Sequence, residues 1–122
     1  MLTLDFNSIL IGSAKPKILA GFYEQVFEKP ADWAEKNWHG WQVGSCFLTV
    51  GLHSEIKGKA REPQRVIFNF QTNKVKEEFA RIKKLGATVI KEPYEMQGAW
   101  IATFADPDGN YFQLMSPWEG SK

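Results

Sequence analysis

Two halves of this sequence follow the same order of secondary-structure signals, and this repetition most limits the folds available to the chain. Shifting the sequence by 57 residues lays Ser8 on Arg65 and Phe22 on Phe79, so that strand and helix coincide without a gap. The sequence therefore predicts two βαβββ repeats. A single repeat cannot bury both faces of its sheet. The predicted fold is α+β, with mixed sheets that curl into an open barrel-like cavity and helices outside.

The first repeat contains a strand, a helix and a hairpin. Residues Leu2 to Ile11 alternate loosely between apolar and small polar side chains, which predicts a strand. Pro16 then starts a helix that should end near Phe27, because apolar residues recur at steps of three and four. The segment WQVGSCFLTVGL predicts a hairpin with a two-residue corner at Gly44-Ser45.

The second repeat follows the same order. RVIFNFQ predicts a strand, and Asn73 is placed to cap a helix that ends before Gly86, where left-handed backbone is favoured. ATVIKEP predicts a short strand, and AWIATFA and YFQLMS predict the closing hairpin. Its corner is DPDG, in which Pro107 fixes φ and Gly109 accepts positive φ.

The length and composition indicate one globular domain, residues 1–122. A chain of 122 residues with 43% hydrophobic content can form one core and is too short for two large ones. Repeat one should cover about residues 1–53 and repeat two about 65–118. The polar segment between them, about 54–64, contains glycine and proline and predicts a linker.

Charge and cysteine content exclude several classes of partner. Fifteen basic and fourteen acidic side chains give a formal charge of +1, which favours neither nucleic acid nor an anionic membrane. No stretch is apolar for long enough to span a bilayer. Cys46 is the single cysteine, so no internal disulfide forms, and no secretion signal is recognised. A cytoplasmic location is expected.

Three motifs occur together in this order of elements: FYEQVF on the first helix, KKLGA at the end of the second, and DPDGN before an apolar strand. In this combination the chain resembles the glyoxalase, bleomycin-resistance and extradiol dioxygenase superfamily, the vicinal oxygen chelate proteins, over essentially its whole length. The resemblance implies the fold more strongly than a chemistry. It also implies a homodimer, because many members build their cavities at a two-fold interface.

In metal-dependent members of that superfamily, side chains of several strands bind a divalent ion. Carried over through the resemblance, three of those positions fall on Ser8, Arg65 and Gln113. None is a normal strong ligand, since a hydroxyl and an amide bind weakly and a guanidinium stays protonated. Neither His39 nor His53 is part of a recognised ligand motif, and either could still be a stray ligand. We therefore predict no metal and no cofactor.

Strand alternation predicts which side chains face the cavity. If Gln113 faces inward, its neighbours two residues away do so too, whereas Phe112 and Leu114 pack against a helix. The predicted inward set, taken from four strands, is Ser8, Leu10, Arg65, Ile67, Asn69, Ile101, Thr103, Tyr111, Gln113 and Met115.

Arg65 is the strongest candidate for ligand binding. A guanidinium on a concave face can pair with a carboxylate, phosphate or phenolate. The alternative is an ion pair with a local carboxylate such as Glu62 or Glu24. Trp38, Trp41 and Trp100 lie near strands that border the cavity and are candidates for stacking on a planar ligand, although packing in a core or dimer interface is favoured for any one of them.

Three functions remain open at this stage. The first, which we favour, is a metal-free protein that binds a small planar or anionic molecule. The second is a metal-dependent lyase, thiol transferase or dioxygenase, which requires ligands that the sequence does not supply. The third is a non-catalytic dimeric regulatory module. No catalytic residue is predicted, and whether the chain is an enzyme stays open.

Overall fold

A computed structural model describes residues 2–117 of the chain. The chain divides into two compact units, Met1–Gly58 and Lys59–Lys122, and the division lies within the predicted linker. Each unit is one βαβββ repeat, so the predicted α+β class and the repetition are confirmed. The expected end of the second repeat at residue 118 lies outside the described residues.

The first unit contains one helix and a four-stranded mixed sheet in the order β1-β4-β3-β2. Strand β1 is parallel to β4, and the other neighbours are antiparallel. Helix and hairpin agree with the prediction, including the corner at Gly44-Ser45, where Gly44 has φ 59°. The elements are β1 Ser8–Ser13, α1 Pro16–Phe27, β2 Trp33–Glu35, β3 Trp38–Val43 and β4 Cys46–Leu52.

Two parts of the first unit differ from the prediction. Strand β1 begins at Ser8 rather than at Leu2, because its partner β4 begins at Cys46 and Ser8 already pairs with Phe47. Residues 2–6 therefore precede the sheet. Strand β2 was not predicted, since three residues are too few to show alternation.

The second unit repeats this topology, with sheet order β5-β8-β7-β6 and a parallel pair formed by β5 and β8. Neither four-stranded sheet closes on itself. Gly86 has φ 93° just after the helix, as predicted. The elements are β5 Ile67–Gln71, α2 Val75–Lys84, β6 Thr88–Met96, β7 Ala99–Ala105 and β8 Tyr111–Met115.

Two boundaries of the second unit correct the prediction. Strand β5 begins at Ile67 instead of Arg65, because Arg65 ends a 3-10 turn that Pro63 starts. The residue at the N-cap of α2 is Lys74, not Asn73, and no side chain caps this end of the helix. The hydroxyl of Thr72 instead accepts a hydrogen bond from the backbone N–H of Lys74 at 3.1 Å.

The DPDGN corner between β7 and β8 is held by one buried carboxylate. Asp106 is 4% exposed, and its Oδ1 accepts hydrogen bonds from the backbone N–H groups of Asp108 and Asn110, both at 2.9 Å. Gly109 takes φ 84°, as the turn prediction requires. The carbonyl of Asp108 accepts a hydrogen bond from Ala60 N–H at 2.9 Å, which ties the linker to the corner.

Each helix covers one face of its own sheet. In the first unit Tyr23 of α1 and Val50 of β4 are both fully buried. In the second unit the ring of Phe79 in α2 stacks on Phe104, which in turn stacks on Phe112. The opposite face is called here the helix-distal face. Within residues 2–117 no helix has the length and apolarity needed to cross a membrane.

Candidate functional site

The helix-distal face of the second sheet collects five of the predicted site residues. Cross-strand partners share a face of a sheet, so the strand register shows which side chains lie together. Phe112 and Leu114 are buried on the helix side, and the residues between them alternate to the other face, as predicted. Five predicted residues share that face: Ile67 and Asn69 from β5, Tyr111 and Gln113 from β8, and Thr103 from β7.

A polar row crosses this face at right angles to the strands. Asn69 pairs with Gln113, Gln113 with Thr103, and Thr103 with Lys91, one residue from each strand. The Gln113 amide donates a hydrogen bond from Nε2 to Thr103 Oγ1 at 3.2 Å. The four residues supply hydroxyl, amide and ammonium groups, a set that can bind polar or anionic parts of a small molecule.

Apolar and aromatic side chains flank the polar row on both sides. Ile67 and Tyr111 pair next to it on one side. On the other side Met115 pairs with Ile101, which pairs with Tyr94. The Tyr94 ring lies 5.3 Å from Lys91 Nζ, a cation–π contact. A few polar groups within an apolar surface are typical of a small-molecule site.

The helix-distal face of the first sheet carries two aromatic rings that lie flat over glycines. A Cβ atom at Gly51 would overlap the ring of Trp38, and one at Gly40 would overlap the ring of Phe47. Both glycines are therefore needed for the rings to rest on the backbone. Trp38 is 38% exposed, so part of its ring remains accessible. These two rings are called the aromatic floor.

Ser8 and Leu10 also lie on this face. Ser8 pairs with Phe47 and Leu10 with Thr49, and both β1 residues are exposed. The face is therefore mainly apolar and aromatic, and its polar side chains include Ser8, Glu35, Gln42 and Thr49.

Two of the predicted tryptophans lie on the opposite, helix-facing side. Trp41 is 1% exposed, and its Nε1 donates a hydrogen bond to the Lys29 carbonyl at 3.2 Å. Trp100 precedes buried Ala102 by two residues and has Lys76 of α2 at 4.0 Å from its ring centroid. The Trp41 contacts correspond to core packing. Trp100 is partly exposed and lines a hollow of about 180 Å³ with Lys76 and Ser116, and neither residue enters the functional proposal below.

Arg65 lies off the sheet, in the 3-10 turn before β5. Its guanidinium pairs with Glu62 at 3.1 Å, and both side chains are 73% exposed. An ion pair this exposed contributes little to stability, so the guanidinium can exchange partners. The local pair considered as an alternative is therefore present, and ligand binding by Arg65 stays a prediction.

The donor groups at the superfamily's metal positions do not fit a divalent ion. Gln113 and Ser8 offer only a neutral amide and a hydroxyl, and Arg65 carries a fixed positive charge. Among residues 2–117 no group of three His, Cys, Asp or Glu side chains is placed to hold a metal. His53 Nδ1 accepts a hydrogen bond from Glu55 N–H, and His39 Nε2 is buried on the helix side.

Several residues of these faces were not predicted from the sequence, among them Lys91, Tyr94, Phe47 and Trp33. Lys91 lies on a strand predicted as short, where the bulges of β6 shift its register against β7. Phe47 and Trp33 join the first face because Gly40 lies opposite Thr49 and Trp33. A usable signal was present at one of the two glycines under the aromatic floor: Gly51 lies within a predicted hairpin strand, where glycine indicates close approach of another group, whereas Gly40 lies just before the predicted hairpin.

Comparisons with known proteins agree with this description. The sequence profile of a family described as glyoxalase-like domain matches residues 8–115. No curated protein matches the sequence. Similar solved structures include a glyoxalase/bleomycin resistance protein/dioxygenase family enzyme from Burkholderia phytofirmans PsJN, 22% identical with TM-score 0.71, over 93% of this chain and 98% of that one.

A second similar structure is a glyoxalase/bleomycin resistance protein from Albidiferax ferrireducens T118. It is 16% identical with TM-score 0.75, over 92% of this chain and 98% of that one. A third is a glyoxalase-related enzyme from Fulvimarina pelagi, 15% identical with TM-score 0.76, over 95% and 89% of the two chains. At these identities the likeness establishes the fold alone.

Proposed function

Because the chain belongs to the glyoxalase-like domain family, we propose that it binds a small planar molecule by stacking on the aromatic floor, and that it does so without a metal ion. The observation that supports this proposal is the pair of rings of Trp38 and Phe47. Both lie over glycines on the face of the first sheet that its helix does not cover. A ring fixed in this way loses little conformational freedom when a ligand stacks on it.

The glycines support a binding role over simple core packing. Inside a strand, each glycine lowers the stability of the fold by about 0.5–1 kcal/mol relative to alanine. Packing of a core would not require this loss, whereas placing two aromatic rings over the backbone does. A flat and partly exposed ring is suited to base- or ring-like ligands, because offset stacking adds about 0.5–1.5 kcal/mol beyond area burial.

The polar row is a separate candidate surface of the second unit, and its side chains support contact with a polar or anionic molecule. Lys91 has no ion pair with any residue from 2 to 117, and Asn69 is exposed. An ammonium and an amide on one face can bind a carboxylate or phenolate. Lys91 is therefore a second cation, besides Arg65, that an anionic ligand can contact.

The proposal of a metal-free site rests on donor chemistry. Serine, arginine and glutamine occupy the family's ligand positions, and two of the three are weak donors while the third is a cation. The names of the similar structures include both enzymes and resistance proteins. No observation on this chain favours the enzymatic members.

Binding can be tested with three naphthalenes that differ in one substituent: 2-naphthylmethanol, 2-naphthoate and 2-naphthylmethylammonium. Calorimetry should detect millimolar or tighter binding of the neutral alcohol, and its addition should shift the indole N–H signal of Trp38. Trp38→Leu should abolish this binding, whereas the matched variant Trp100→Leu, on the helix side of the other sheet, should retain it. No binding of any of the three would contradict the proposal.

Metal dependence needs a separate experiment. Protein purified without a histidine tag should contain no stoichiometric metal. Nickel, manganese, iron, cobalt and zinc should each leave the melting temperature unchanged, with or without chelator. A saturable, metal-specific rise in melting temperature would overturn the metal-free proposal and favour the metal-dependent enzyme.

The homodimer implied by family resemblance stays part of the proposal. Leu2, Leu4 and Phe6 alternate along the chain and are 81%, 79% and 81% exposed. Three large apolar side chains in a row exceed the scattered single residues usual on a monomer surface. Light scattering should give twice the chain mass, and Leu4→Lys with Phe6→Lys should lower it.

A further inference from the structure

We propose that the hollow formed by Trp33, Glu35, Lys36 and Trp38 at the edge of the first sheet binds an organic cation. This inference deepens the proposed function, on which it rests, because Trp38 belongs to both the hollow and the aromatic floor. The hollow has a volume of about 270 Å³ and is open to solvent. That volume accommodates an ammonium group attached to a small ring system.

The register of the β2–β3 hairpin brings the three recognition groups onto one face. Glu35 pairs directly with Trp38 across the two-residue turn, and Trp33 lies two residues before Glu35. Directly opposite Cβ atoms are about 5 Å apart, and residues two apart on a strand share a face at about 7 Å. The carboxylate therefore lies beside both indole rings.

Both rings are accessible. Trp33 is 45% exposed and Trp38 is 38% exposed, whereas the buried Trp41 of the same sheet is 1% exposed. Indole is the aromatic side chain that attracts a cation most strongly to its face. Two accessible indole rings next to one acidic side chain supply both kinds of group that bind an ammonium ion, namely aromatic faces and a carboxylate.

The carboxylate of Glu35 is available for a ligand. The Glu35 side chain makes no hydrogen bond or ion pair with another residue in the range 2–117. The same holds for Lys36, whose positive φ of 53° belongs to the turn that joins the strands. A single carboxylate without further oxygen ligands is a poor metal site. Its position next to two tryptophans on the same face favours an organic cation instead.

Lys36 gives the proposal a second test, because this residue also lines the hollow. Its positive charge opposes the binding of a cation there. Removing that charge should strengthen binding of a cation and leave binding of a neutral ligand unchanged. A purely apolar hollow would show neither effect.

The experiment compares 2-naphthylmethylammonium with 2-naphthylmethanol, which has the same ring and no charge. The ammonium compound should bind about fivefold more tightly, and its addition should shift the indole N–H signals of Trp33 and Trp38. Glu35→Gln should remove this preference, and Lys36→Gln should strengthen ammonium binding about twofold. Glu55→Gln, an exposed acidic residue in the linker of the same unit, is the matched control and should bind as the parent does.

The outcomes separate this inference from the proposed function. Equal affinity for ammonium and alcohol in the parent and in Glu35→Gln would overturn the cation site while supporting stacking on Trp38. Ammonium binding that needs Glu35, without any binding of the alcohol, would support the cation site and count against the planar-ligand proposal. Binding of 2-naphthoate that is as tight as that of the ammonium compound would overturn the cation site. Unchanged thermal unfolding of the variants excludes misfolding as the cause.

Discussion

The indole ring of Trp38 lies across Gly51 of the neighbouring strand, in the space that a side chain at that position would occupy. The two residues are direct cross-strand partners in the register of β3 and β4. The Trp38 ring can take this orientation only if residue 51 is glycine. The aromatic floor of the proposed function therefore depends on Gly51.

Gly51→Ala should destabilise the protein by about 1–3 kcal/mol, because the added methyl group overlaps the Trp38 ring and forces it to move. Chemical denaturation measures the free energy of unfolding, and the indole N–H signal of Trp38 reports the movement. The matched control is Gly21→Ala in helix α1, where a methyl group meets nothing within 4 Å. That change should stabilise the protein by about 0.5–1 kcal/mol. Equal effects of the two substitutions would contradict the steric argument.

Asp106→Ala should lower the free energy of unfolding by about 3 kcal/mol. The substitution leaves the backbone N–H groups of Asp108 and Asn110 without the acceptor they share, in a corner where Asp106 is 4% exposed. Asp106→Asn keeps one acceptor oxygen and should lower the free energy of unfolding clearly less than Asp106→Ala does. Urea denaturation measures the free energy of unfolding of both variants. If Asp106→Asn lowers it as much as Asp106→Ala does, the effect comes from the lost charge and not from the lost acceptor.

The features predicted from the sequence are those with a local cause. Pro16 and the apolar stripe predict helix α1, the DPDG residues predict their turn, and the alternation of β8 predicts which side Gln113 takes. Each of these depends on residues within about one turn or one strand. Local sequence rules were therefore sufficient to predict the repeat and the side of the second sheet on which the β8 side chains lie.

The features that were missed depend on contacts distant in sequence. Arg65 lies outside β5 because the strand starts where β8 offers Tyr111 as partner to Ile67. Trp41 turns to the core because Lys29, twelve residues away, accepts its indole hydrogen bond. The aromatic floor was missed because the predicted hairpin began at Trp41. The pairing of Trp38 with Gly51 lay beyond it, although the corner at Gly44-Ser45 sets this register.

Asp32 should make stability depend on pH in the acid range. The backbone N–H of Gln42 at 2.7 Å, and then the Lys29 ammonium at 2.9 Å, hold the pKa of the Asp32 carboxyl below its ordinary value of 3.8. A folded-state pKa below the unfolded one stabilises the fold above the ordinary value, and the contribution is lost as pH falls through the folded pKa.

The Asp32→Asn variant tests this dependence. At pH 7 it should be less stable than the parent, and the difference should shrink as the pH is lowered through the folded pKa. Denaturation at pH 7 and at low pH, with a carboxyl carbon NMR titration of Asp32, gives both quantities. Asp5→Asn is the control, because the Asp5 carboxylate makes no ion pair within the described residues. A pH-independent difference would assign the effect of Asp32 to its hydrogen bonds alone.

The exposed pair of Arg65 and Glu62 allows the predicted anion contact to be tested without affecting the fold. Arg65→Gln and Glu62→Gln should each change the free energy of unfolding by less than about 1 kcal/mol, since both side chains are 73% exposed. If Arg65 contacts anionic ligands, Glu62→Gln frees the guanidinium and should strengthen benzoate binding severalfold, whereas Arg65→Gln should weaken it. The Nε–H signal of Arg65 reports the contact directly, and Arg61→Gln controls for general loss of positive charge. Benzoate binding that is the same in all four proteins would remove Arg65 from the site and leave Lys91 as the cation of the second sheet's helix-distal face.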